Sequence, residues 1–169
     1  MEPAASSPDE FAHLWATSLA ALQVAMLDAC AREVDWPAKV AAGVRAGLEF
    51  AAGAPPSVQV LVNEALAHGV GGVERYERLV AYLGEYLNSG RDERPEGRRL
   101  PDITERAMTG GVLMLVAQRV DQGRASELPA LVPEAIQFVL TPYVGAEEAR
   151  RVGLEFGAAD RRPPTDPPG

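Results

Sequence analysis

Glu64 and His68 stand four residues apart, a carboxylate and an imidazole at helical spacing. One turn of helix brings such side chains together, with the chemistry of a general base or of half a metal site. A zinc site needs at least a third protein ligand, and the other histidine, His13, is distant in sequence. The spacing also departs from the Glu-x-x-His of di-iron bundles. The pair therefore reads as a solvated or pocket-edge contact, and neither a metal nor a cofactor is expected. Gln59 and Asn63 share a margin of the same segment. Their amides suit a ligand that must be oriented in a mostly apolar pocket; a solvent-facing margin explains them equally. Met26, Phe50, Tyr76, Met108 and Met114 have side chains fit for an adaptable pocket, or for plain core. Cys30, the lone cysteine, has no basic neighbour to activate it and reads as a small apolar residue. The chain has no Gly-rich phosphate loop, nucleophile elbow or HExxH motif, so no enzymatic activity is expected.

The elements that must position these residues are helices. Aromatic residues are only 6% of the chain, alanine is abundant, and no window alternates with period two. The 169 residues suffice for one domain. The net charge of −8 is the wrong sign for holding phosphates, and no helix carries a basic face, so no nucleic acid binding is expected of this chain alone. The N-terminus lacks the basic and apolar regions of a signal peptide, and no apolar run is long enough to span a bilayer. A single cysteine fits a reducing compartment, so a cytoplasmic protein without membrane contact is expected.

Four helices are expected before residue 89. Ser7-Pro8-Asp9-Glu10 is a capping box with proline in the first turn. It opens a helix expected to reach Val34, with Phe11, Trp15, Ser18, Leu22, Met26 and Ala29 buried. Asp35 caps a second, over residues 36–52, whose stripe is Val40, Val44, Gly47, Leu48 and Ala51. A third, over residues 56–68, places Val58, Leu61, Val62, Ala65 and Leu66 on one face. The glycines at 69–72 break the chain, and a fourth helix over residues 73–88 buries Val73, Tyr76, Val80, Leu83 and Leu87. Residues 89–99 are expected to form a mobile, solvated loop, because their four arginines are offset by Asp92, Glu93 and Glu96.

Residues 100–123 form the organising helix, with two apolar faces. Ile103, Ala107, Gly110 and Met114 line one side; Met108, Val112, Leu115 and Val116 line the other. A surface helix of a monomer needs one apolar stripe, so one face should meet the domain core and the other a second subunit. A final main helix over residues 127–140 should carry a matching seam of Leu128, Val132, Ala135 and Val139, widened by Leu131 and Phe138. Thr141-Pro142 should end it, with one short helix at 146–154. The expected architecture is a single all-α bundle of six to seven helices over residues 7–157. Residues 1–6 and 158–169 are expected to be disordered flanks.

Thr109–Ala149, with its glycine pair, Arg119…Gly123-Arg124 turn, Glu127-Leu128-Pro129 start and Pro142-Tyr143-Val144-Gly145 end, resembles the end of TetR-family transcriptional regulators. Trp36-Pro37, Pro55 and Val62-Asn63-Glu64-Ala65…Gly69 resemble that family's ligand-domain core, and Ser6–Trp15 the start of its long linking helix. The resemblance implies a homodimer joined by a four-helix bundle of the last two main helices. It also implies a pocket for a small, apolar effector among the first, third, fourth and fifth helices. Met26, Phe50, Gln59, Asn63, Tyr76 and Met108 are the expected lining. Effector binding would move the linking helix. The family's helix-turn-helix domain precedes that helix, where this sequence has only MEPAA. The resemblance thus implies the sensing half of a regulator, by excision, by a start called too late, or as a natural reader-less relative. A reader-less dimer would act as a ligand buffer or heterodimer partner; a small metal-binding bundle is the remaining alternative.

Overall fold

The computed structural model describes residues 8–67 and 69–158, and contains no strand among them. The first helix, α1 (Pro8–Cys30), is followed by α2 (Trp36–Gly53). A helical segment at residues 55–67, here α3, begins with Pro55–Val58, passes through a π-helical stretch at Gln59–Glu64 and closes with Ala65–Ala67. Then come α4 (Gly69–Asn88), α5 (Thr104–Asp121), α6 (Val132–Val144) and α7 (Ala146–Ala158). Short 3-10 turns at Ser89–Asp92, Gly97–Arg99 and Ala125–Leu131 join the later helices.

The middle of the bundle belongs to α2, which packs against α1, α5, α6, α7 and the Ala125–Leu131 turn. Its small residues permit so many neighbours: Ala41, Ala42, Gly43 and Ala51 are all buried. The expected stripe of α1 holds, with Phe11, Trp15, Ser18 and Leu22 inward. Arg75 and Arg78, both on α4, lie over the Phe11 and Trp15 rings at 5.6 and 5.8 Å. These cation–π contacts tie α4 to the first turns of α1.

Several boundaries differ from the sequence reading. The first helix stops at Cys30 rather than Val34. Residues 69–72 form the opening turn of α4 instead of a break; Gly69 adopts a φ of 65°, which absorbs the change of direction there. Leu66 and Val73 face outward. The last main helix starts as a 3-10 turn and continues through Pro142 to Val144, where Gly145, at φ 85°, ends it. Thr141 Oγ1 donates to Gln137 O at 2.5 Å and supports the turn that Pro142 would otherwise loosen. The expected flanks at 1–6 and 159–169, and Ser7, lie outside the described residues; Ala158 closes α7.

Residues 89–99 are not a freely solvated loop. The Arg91 guanidinium grips both oxygens of Glu105 at 2.8 Å and donates to the carbonyls of Leu100 and Pro101. Tyr143 completes the cluster, donating to Glu105 Oε1 at 3.0 Å. Burial pushes the Glu105 carboxyl upward, but the bonds from Arg91, its backbone and Tyr143 outweigh this and leave it below its ordinary value. Gly90 sits so close to Trp36 that a Cβ would lie 2.2 Å from the indole. The segment thereby anchors the start of α5 to the ends of α2 and α6.

Candidate functional site

The upper part of the bundle is hollow. A cavity of about 480 Å³, within the size range of small-molecule sites, lies among α1, α2, α3, α4 and α5, with Val139 of α6 at its floor. Its largest wall is α2, where Val40, Gly43, Val44, Gly47 and Ala51 recur at helical spacing. Val40, Val44, Gly47 and Ala51 belong to the stripe the sequence assigns to core; Gly47 leaves that stripe open beside Met26, so it borders space there, whereas a Cβ on Gly43 would lie 3.2 Å from Cys30 Sγ. The last turns of α1 contribute Leu22, Met26 and Cys30, and the π-helical stretch contributes Leu61 and Val62. Such π segments are uncommon and frequently occur at functional sites.

Polar groups are few and grouped. Tyr82 and Tyr86, one turn apart on α4, join hydroxyl to hydroxyl at 2.9 Å, with their rings edge to face. Burial, reinforced by the bond to Tyr86, pushes the Tyr82 phenol well above its ordinary value. Trp36 Nε1 donates to the Tyr86 carbonyl at 3.0 Å and fixes this end of α4 against α2. The Cys30 thiol donates to Lys39 O at 3.2 Å, and burial raises its pKa, which keeps it protonated at neutral pH. Thr109, 6% exposed, lines the α5 side.

Of the six residues expected to line the pocket, Met26 and Phe50 do so and four do not. Gln59 is exposed. Asn63 donates to Asp121 Oδ1 at 2.6 Å, in a shallow groove between α3 and α5. The apolar face of this segment holds, with Val58, Leu61, Val62 and Ala65 buried, and the two amides lie on its outer margin, the second of the two placements the spacing allows. Tyr76 lies below the cavity, which begins at Leu79 on α4; its hydroxyl faces Gly110. Met108 is packed in solid core. The wall of α2, the Tyr82–Tyr86 pair, Trp36 and Thr109 were not anticipated, although two tyrosines at i, i+4 on an amphipathic helix are a legible pairing signal. The His68 half of the carboxylate–imidazole pair lies outside the described residues. Among those described, no group of three or more His, Cys, Asp and Glu could hold a metal ion.

The two-faced helix also divides in two. On α5, Met108 and Val116 enter the core and Val112 is half-buried, but Leu115, expected on the same side, is exposed; Ala107, Met114 and the N-cap Ile103 are exposed too, Ile103 at 70% and Met114 at 48%. The anticipated seam of the last main helix is a correction. Leu128, Val132, Ala135 and Val139 are all buried within their own chain, Leu128 completely. The outward side of this region instead presents Phe138, 54% exposed, with Leu131 half-buried against the core. Apolar residues occur on both sides of this helix, and the inner set had the cleaner period.

No helix among the described residues is long and apolar enough to cross a membrane. No family model, curated protein or solved structure matches the chain.

Proposed function

We propose that the chain is the ligand-sensing, dimerising regulatory domain of a TetR-like transcriptional regulator in the cytoplasm. The observation that carries this reading is the 480 Å³ apolar cavity, whose wall includes the last turns of the long first helix. A small, apolar effector filling it touches Leu22, Met26 and Cys30 on α1 and the stripe of α2 at once. It therefore favours whichever setting of α1 gives the better contacts, and it acts only through that difference in affinity. The sequence resemblance supports the same reading. So do the uncovered apolar side chains of α5 and α6, which suit a homodimer. Their contact set is Ile103, Ala107, Gly110 and Met114 with Phe138 and Leu131. The domain works by binding, without a catalytic step or cofactor, and DNA contact belongs to a separate helix-turn-helix domain in the parent protein.

Titration with a neutral, fluorescent arylamine dye (N-phenylnaphthylamine) tests the cavity. Saturable binding of one dye per chain is expected, abolished by Gly47→Phe, which fills the space beside Met26. Circular dichroism of the variant should retain the full helical signal. No saturable binding, or undiminished binding by the well-folded filled variant, would contradict the proposal.

A further inference from the structure

Resting on the reading of the cavity as an effector site, we propose that it selects an uncharged, mainly apolar molecule with one hydroxyl or carbonyl group, held at the Tyr82–Tyr86 hydroxyl pair. The buried part of the wall offers no charged side chain to pair with an ionised ligand. The wall's charged side chains are Lys39 and Glu85, opposite in sign, both exposed and so at the mouth. Burial pushes two further ionisable groups of the wall, the Cys30 thiol and the Tyr82 phenol, toward their neutral forms. A carboxylate or ammonium carried inside would lose its water without gaining a counter-ion.

An apolar group loses nothing there, and a single neutral polar group has a place to go. Each phenol has one proton to give and lone pairs to accept. Gln23 of α1 also bonds the Tyr82 hydroxyl; with Tyr82 donating across the 2.9 Å bond, Tyr86 keeps its own proton for a ligand oxygen. The bond from Trp36 to the Tyr86 carbonyl holds the pair in position before the ligand arrives. On the α5 wall, the buried Thr109 makes no side-chain hydrogen bond among the described residues, and offers a second hydroxyl to a ligand that spans the cavity.

The test is displacement of the same arylamine dye by three ligands of one chain length at pH 7.5: decanol, decanoate and decylammonium. Decanol should displace the dye, and both ions should bind at least about 10-fold more weakly. Tyr82→Phe and Tyr86→Phe, each checked for folding by circular dichroism, should weaken decanol about 3- to 10-fold, and by more than either weakens the dye. An ion binding as tightly as decanol, or decanol binding undiminished in both folded phenylalanine variants, overturns the inference. If the dye binds but decanol does not displace it, the inference fails while the effector-site reading stands. If the dye does not bind the unaltered protein, both fail together.

Discussion

The two ends of the bundle use glycine for opposite purposes. In the α6–α7 hairpin, glycine permits contact. A Cβ on Gly153 would lie 2.6 Å from the Pro133 carbonyl oxygen, and one on Gly157 would lie 2.4 Å from the Pro133 ring. Ile136, Leu140 and Tyr143 are essentially inaccessible in the same region. At Gly47 of α2, glycine leaves space. A Cβ on Gly47 would find only the Met26 sulfur, 4.0 Å away. The hairpin is built to native density, where one added carbon is felt. The α1–α2 end forgoes that density around a cavity, and a natural protein that keeps a hole of this size forgoes stability to do so. The difference separates a solid part of the bundle from a hollow one.

The sharpest way to break the contrast is Gly153→Ala. Its new carbon meets backbone, which cannot swing aside, and the cost should be about 2–3 kcal/mol in denaturant unfolding. An unchanged midpoint would mean that the hairpin is looser than its geometry. Next comes the outer surface of the solid half. Replacing both Met114 and Phe138 by glutamate should weaken self-association about 30-fold or more, read by sedimentation equilibrium. A dimer indifferent to both charges would move the interface elsewhere.

Glu105→Gln addresses the cluster that joins the two ends. Loss of the charged acceptor for Arg91 should cost about 2 kcal/mol at neutral pH. The Glu105 carboxyl titrates lower in the folded protein than its usual value near 4.3. Its contribution is therefore complete above that value and disappears as pH falls through the folded one. Acid unfolding followed by circular dichroism should show a shallower pH dependence in the glutamine variant. The smallest effect has the opposite sign. Gly47→Ala puts a better helix former into open space and should stabilise by about 0.5–1 kcal/mol, raising the thermal midpoint while leaving less room for the dye.

Periodicity made much of this legible. The stripes of α1 and α2 and the double-sided α5 follow from spacing alone, because a 3.6-residue repeat reports which side of a helix avoids water. It does not report whether the side turned from water meets atoms or space. Val44 and Gly47 read as core for that reason and prove to be cavity wall. Nor does it separate a chain's own interior from a partner. Leu128, Val132, Ala135 and Val139 had the regularity of a seam and serve the interior, whereas Phe138 was the outward residue. Gln59 and Asn63 stand at the margin of a stripe that is buried as spaced, and periodicity does not tell whether a margin meets a pocket or solvent. Arg91 looked like one of four solvated arginines because its partner, Glu105, lies 14 residues on.

Hydrogen exchange of the backbone amides, measured with and without saturating dye, tests the central claim that the cavity is a receiving site coupled to the first helix. Slower exchange should appear over Leu22–Cys30 of α1 and along Val40–Ala51 of α2, with the α6–α7 hairpin unchanged. Equal exchange in both states across α1, despite bound dye, would contradict the account.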